Sequence, residues 1–275
     1  MSILQAIILG IIQGITELLP ISSSAHLNVF PWILNWTKNP EFNEMFEGAF
    51  DVALHAGTLL AVTLFFAKDW IQLIGAGFNK VVKKEDTVEG KMFWQLFIAT
   101  IPAGIAALVL DKVSDKIIGG NFKLEMGLIA AALIIMGILL YIVDKNAKSK
   151  VTYENIDMKQ SLLVGISQAI AAAFPGVSRS GITMTVSRSL GIDRESAAKF
   201  SFLLSTPIIA AAVLADFKEF ALTSPIFWIG VGASFLSGVV VIKFLMDYLK
   251  KGSFKIFAGY RVVLGIVLIA LLVIR

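Results

Sequence analysis

The chain has 275 residues, 57% hydrophobic and 16% charged, with a mean hydropathy of +0.81, far from the usage of soluble domains, so an integral membrane protein is predicted. Cysteine is absent, which excludes disulfides, thiolate metal sites and cysteine nucleophiles. The net charge of +4 comes with lysines clustered beside apolar runs, a pattern that sets topology, and nucleic-acid binding is not expected.

In chain order, the first apolar stretch, 3–19, is short, carries Gln13, Thr16 and Glu17, and stops at Pro20. It lacks a basic flank, so it does not read as a cleaved signal peptide. Full spans need about 20 residues and are predicted at 46–67, 92–110 and 124–143. A second short stretch, 160–174, carries Gln168 and stops at Pro175, and three more spans follow at 197–215, 226–247 and 254–274. The expected class is an all-α polytopic membrane protein, with six full transmembrane helices and two broken re-entrant hairpins in one membrane domain.

The two short stretches align. Gly10 falls on Gly165, Gln13 on Gln168, Pro20 on Pro175 and Ser23 on Ser178, all at an offset of 155. This predicts a repeat: a first copy over about 1–145, with its re-entrant part at 3–45, and a second over about 158–275, with its re-entrant part at 160–192. Three spans follow each copy, so the second must be inverted relative to the first, and broken elements of inverted repeats meet at a site near the midplane. Lysines divide twelve to five between alternate connections, with 68–91, 144–159 and 248–255 the dense set. The dense loops are therefore assigned to the cytoplasm, which puts both termini and the first break on the outer side.

Within the first break, Gln13 and Glu17 share a helical face, and a carboxylate in an apolar segment must face a cavity or a partner. "PISSSAH" follows, where Ser22, Ser23 and Ser24 can satisfy freed backbone groups and His26 stands three residues beyond Ser23. A hydroxyl beside an imidazole that a carboxylate orients is an activated nucleophile, although serines at a break also merely cap. In "PGVSRSGIT", the buried cation Arg179 needs an anion, and a guanidinium suits a phosphate. A helix predicted over 181–190 adds its N-terminus, and Ser178, Ser180 and Thr183 add hydroxyls. The structural alternative is an ion pair between Arg179 and Glu17. Asp51 is expected to orient His26, hold a cation or solvate a cavity, and His55 to pack or line a cavity. Arg188, Arg194 and Lys199 are expected to be positive-inside anchors, while Arg261 needs a carboxylate or carbonyl partner that the sequence does not identify.

Together, "QGITE", "PISSSAH" and "PGVSRSGIT" resemble the bacitracin-resistance type of undecaprenyl-diphosphatase, over essentially the whole chain. This chain carries Gln13 in the Glu/Gln-x-x-x-Glu signature, and Ser24 and Ala25 where some members have threonine and glycine. The resemblance implies removal of the terminal phosphate from undecaprenyl diphosphate in the bacterial plasma membrane, at a site reached from the outer face. By motif, Glu17, Ser23, His26, Ser178 and Arg179 become the catalytic set. The resemblance also implies dependence on a divalent cation, Mg or Ca, and a dimeric assembly, with membrane lipids around it. Glu17 is the expected metal ligand, and Gln13 weakens a two-carboxylate site. Gln13, Ser22, Ser24, Ser178, Ser180 and Thr183 are assigned to substrate binding. The rival reading is a transporter or flippase of a polyprenyl phosphate lipid, whose architecture also uses broken inverted repeats.

Overall fold

The computed structural model describes residues 1–46, 50–118, 120–216 and 225–274, with the side chains of 107, 108, 110–118 and 216 left out. Among the described residues the chain is helical with no strand, and one isolated parallel bridge joins Val151 and Ile192. Helix α1 (Ile3–Leu18) starts at a capping box in which Ser2 and Gln5 satisfy each other's backbone amides. It ends before Pro20, which cannot continue it. After the turn come α2 (Ser23–Ile33) and α3 (Pro40–Met45). Helices α4 (Asp51–Phe65) and α5 (Ala67–Val82) meet at a 75° bend. Then follow α6 (Val88–Ile118), α7 (Phe122–Asn146), α8 (Met158–Ala173), α9 (Arg179–Ser189), α10 (Arg194–Asp216), α11 (Pro225–Leu249) and α12 (Lys255–Ile274).

Among the described residues four helices, α7, α10, α11 and α12, are long and apolar enough to cross a membrane, and the bent pair α4–α5 gives a fifth if counted as one span. Of the expected span at 46–67, residues 47–49 lie outside the described residues, and the rest contains the 15-residue α4, which meets the length together with α5. The expected span at 92–110 lies in α6, and it falls in part on side chains outside the description. The stretch 68–91, expected to be a loop, contains α5. Its Ile71, Ile74, Phe78, Val81 and Val82 are exposed, while Leu73 and Gly77 are buried. Apolar groups at that helical spacing suit a helix lying against acyl chains at the interface. Beyond it, Asp86 accepts hydrogen bonds from Lys80 and Lys91, which hold its carboxyl below the usual range.

The short helices are held by close backbone approach. A methyl group on Gly10 of α1 would come within 2.7 Å of the Gly230 carbonyl on α11, and one on Gly165 of α8 within 2.8 Å of the Ala99 carbonyl carbon on α6. Small residues allow this approach where lipid supplies no hydrophobic driving force. Helix α4 also packs on α11, α10 packs on α6, α4 meets α10, and α7 meets α12.

Arg188 and Arg194, expected to be positive-inside anchors, both pair with one buried carboxylate, Asp144. Arg188 is 1% exposed, and its Nε donates to Asp144 Oδ1 at 2.8 Å, as does Nε of Arg194. The Phe254 amide donates to Asp144 Oδ2 at 3.1 Å. A carboxylate 4% exposed needs such partners, because an unpaired buried charge costs about 3–5 kcal/mol. Asp144 thus ties the ends of α7, α9, α10 and α12 together. Lys199 pairs with Asp69 at 2.5 Å and lies 4.5 Å from the Tyr153 ring centroid.

Candidate active site

Both breaks are built alike. Ser22 caps α2, its Oγ accepting from the Ala25 amide at 3.4 Å, and Ser178 caps α9, its Oγ accepting from the Gly181 amide at 3.1 Å. Their backbones match too, with φ 77° and ψ 98° at Ser22 and φ 69° and ψ 113° at Ser178. Left-handed φ is unfavourable for a non-glycine residue, so each turn must be held by its surroundings. Ser22 Oγ lies 3.2 Å from Ser24 Oγ, and Ser178 Oγ lies 3.3 Å from Ser180 Oγ.

This match shifts the sequence register by one. Up to Pro20 and Pro175 the spacing is 155, but the caps Ser22 and Ser178 are 156 apart. The extra residue is Gly176, which takes φ 88°, a conformation that glycine adopts without strain. Ser23 therefore corresponds to Arg179 rather than to Ser178, and each is the first residue of its helix. Helix α9 begins two residues earlier than the expected 181.

Both first residues reach the same carboxylate. Ser23 Oγ donates to Glu17 Oε2 at 2.5 Å, while Arg179 Nη2 donates to Glu17 Oε1. Gln13 Nε2 also approaches Oε2, at 3.4 Å, so the shared face expected for Gln13 and Glu17 is present. A cation in the first turn of a helix opposes the helix dipole, and Glu17 compensates it. Arg179 Nη1 also donates to the Ser205 carbonyl at 3.4 Å, while Nε is buried with no partner among the described residues. The ion pair weighed as the structural alternative is therefore present, with one side of the guanidinium still unbonded.

Around this pair opens a cavity of about 350 Å³, lined by Glu17, Ser23, Ser24, Asp51, His55, Gln168, Ser178, Arg179 and Ser180, with Ile208, Ile209 and Val213 among its apolar walls. Ser180 Oγ donates to the carbonyls of Glu17 and Leu19, each at 3.1 Å, joining α9 directly to the end of α1. Thr183 does not line the cavity. Its Oγ1 lies 2.7 Å from Ser201 Oγ and donates to the Arg179 carbonyl at 2.9 Å, which fixes the first turn of α9. Ser22 likewise acts as a cap rather than as a cavity wall.

His26 lies elsewhere. Its Nδ1 donates to the Ser22 carbonyl at 2.7 Å, and Nε2 is 2.7 Å from the Tyr260 hydroxyl, with the two rings stacked at 5.6 Å. Both nitrogens are occupied away from Ser23, so the expected Ser23–His26 couple does not form; a three-residue spacing gave proximity along the helix but not direction. The imidazole at the cavity is His55, with Nε2 3.7 Å from Glu17 Oε2 and Nδ1 3.7 Å from Asp51 Oδ1. Of the two roles expected for His55, the structure gives it the cavity lining. Its four-residue spacing from Asp51 was the available signal.

Gln13 Oε1 and Gln168 Oε1 are buried carbonyl oxygens with no partner among the described residues. No group of three or more His, Cys, Asp or Glu among the described residues is arranged to hold a metal ion.

A family model described as "Bacitracin resistance protein BacA" matches residues 6–267. Curated relatives span the whole chain. The undecaprenyl-diphosphatase of Pelotomaculum thermopropionicum is 44% identical over 274 residues, covering 98% of this chain and 97% of its own length. Those of Caldicellulosiruptor bescii and Moorella thermoacetica are 42% and 41% identical, each covering 100% of this chain and at least 99% of their own.

Proposed function

The chain belongs to the bacitracin resistance protein BacA family, and from that premise we propose that it hydrolyses undecaprenyl diphosphate to undecaprenyl phosphate and inorganic phosphate, recycling the lipid carrier for cell-wall synthesis. The observation that carries the reading is the convergence of a hydroxyl, Ser23, and a guanidinium, Arg179, on one buried carboxylate at the wall of a cavity.

Phosphoryl transfer needs charge neutralisation, an in-line nucleophile and little else. Arg179 exchanges Glu17 for the terminal phosphate, with the first amides of α9 behind it. Ser23 Oγ attacks the terminal phosphorus, its proton passes to Glu17, and undecaprenyl phosphate leaves along the bridging oxygen. Glu17 then passes that proton by way of His55 to solvent, and water cleaves the phosphoserine with the carboxylate again as base, the proton taken from the water returning to Ser23 Oγ as inorganic phosphate leaves. His55 lies between Glu17 and Asp51, and Asp51 is the most exposed of the three, at 47%. That order suits proton exchange with solvent. His26 acts on the turn, holding the carbonyl of the cap Ser22.

A divalent cation, Mg or Ca, fits these residues as a companion of the diphosphate rather than as a resident of a protein cage. Glu17 offers the anionic ligand, and the partnerless carbonyl oxygens of Gln13 and Gln168 are hard donors. When bound, it neutralises diphosphate charge.

The inverted repeat with six spans is part of the proposal. It is supported by the matched caps and by a packing pattern that exchanges halves: α1 on α11 and α8 on α6, α4 on α11 and α10 on α6. The lysine distribution supports a site open to the outer face of the plasma membrane. Against the flippase reading stands the serine activated by a carboxylate, which a carrier does not need. Purified protein in detergent, given undecaprenyl diphosphate, is expected to release one inorganic phosphate per lipid. Transport in vesicles with no phosphate release in detergent would favour the flippase.

A further inference from the structure

Arg261 on α12 is wholly buried, at 0% exposure, and no carboxylate lies within ion-pair distance of it among the described residues. Its guanidinium donates instead to three carbonyls, Pro20 from Nη1 at 3.3 Å, and Gly176 and Val177 from Nη2 at 3.2 and 2.8 Å. Pro20 belongs to the first break, Gly176 and Val177 to the second. Each set lies just past a helix C-terminus, where carbonyls are orphaned and the dipole favours a cation.

We propose that Arg261 is a positioning residue for phosphoryl transfer, a single buried guanidinium that staples the two breaks together and so fixes Ser23 and Arg179 at one carboxylate. Pro20 is two residues before the cap Ser22, and Val177 immediately precedes the cap Ser178. Both caps sit at left-handed φ, a conformation that lasts only where the neighbouring backbone is held. Glycine at 181 makes room for the staple, since a Cβ there would run into Arg261 Nη1 and come within 3.0 Å of Ser178 Cβ. The adjacent Tyr260 reaches His26, which in turn holds the Ser22 carbonyl, so one turn of α12 braces the first break at two points.

Lysine keeps the charge but cannot reach both breaks as a planar fork does. Because the role is geometric, Arg261→Lys should lower kcat by about 10²-fold, the scale of a 1 Å misplacement, and leave KM within about threefold. Turnover is counted per folded molecule, from the monodisperse fraction and the melting transition. Gly181→Ala crowds the guanidinium without removing it and is expected to lower kcat in the same direction, so the proposal remains testable if Arg261→Lys fails to fold. Arg261→Lys or Gly181→Ala at wild-type kcat would overturn it, as would a loss no larger than the loss of folded protein.

The staple rests on the phosphatase reading only for its catalytic consequence, so hydrogen exchange tests it independently. Arg261→Lys, or Gly181→Ala if the lysine variant does not fold, should raise amide exchange over 19–24 and 176–181 together. Exchange rising at neither segment, or at only one, would refute the staple even in a protein that hydrolyses its substrate. Coupled exchange in the variant, with no phosphate released by the wild-type protein, would instead refute the phosphatase reading alone.

Discussion

Glu17→Gln separates the two tasks of the buried carboxylate. The substitution keeps size and hydrogen-bonding capacity but removes the anion that Arg179 and Ser23 share. Glu17 is 8% exposed and the Arg179 side chain 18%, so Arg179 loses its counter-ion in a site that is buried but reached by cavity water. Breaking a sealed pair costs about 3–5 kcal/mol. With water able to enter and an isosteric amide in place, a loss of about 2 kcal/mol is expected, read as a melting temperature a few degrees lower. Turnover should fall by about 10²–10⁴-fold, since the base that takes the Ser23 proton is gone. Affinity should move the other way. In the native protein the phosphate must displace Glu17 from Arg179. A charge-assisted hydrogen bond of about 1.5–3 kcal/mol no longer competes in the variant, so a non-hydrolysable bisphosphonate lipid should bind about 10- to 100-fold more tightly. Calorimetry in detergent and a phosphate-release assay on one preparation read both quantities. Weaker binding by the variant, or turnover within tenfold of wild type, would refute the exchange of partners at Arg179.

Ser23→Ala should stop phosphate release while leaving bisphosphonate binding within a few-fold, and wild-type enzyme quenched with substrate labelled in the terminal phosphate should carry label on Ser23. Label absent under conditions of rapid turnover would mean that water attacks directly. His55→Gln should lower kcat by about 10-fold or more and alter the pH profile, whereas an unchanged profile would leave His55 with a wall-lining role only. Gly165→Ala should destabilise the protein by about 1–3 kcal/mol through overpacking against Ala99, measurable as a lower melting temperature. An unshifted transition would mean that α8 and α6 can separate freely.

Much of this architecture was legible because its signals are local. Pro20 and Pro175 end their helices by geometry alone, and Glu17 in an apolar run demanded a partner that the structure supplies as Arg179. The one-residue shift at Gly176 was hidden because the alignment rested on identities before the break, and an inserted glycine changes register without changing composition. His26 misled for a related reason. Spacing along a helix gives a side chain's face, but not which of two neighbours it bonds, and the deciding group, Tyr260, lies 234 residues away. Arg188 was read as a positive-inside anchor because its partner Asp144 comes from another helix. Helix α5 was missed because it mixes lysines with exposed apolar groups and resembles a charged loop when read for spans.

The most direct test of the central claim is a structure with a bisphosphonate analogue of undecaprenyl diphosphate bound. The account predicts the terminal phosphorus within about 3–3.5 Å of Ser23 Oγ, the near-attack range, in line with the bridging group and with Arg179 turned from Glu17 onto the phosphate oxygens. A terminal phosphate bound away from this cavity, with the Glu17–Arg179 pair still closed, would contradict it.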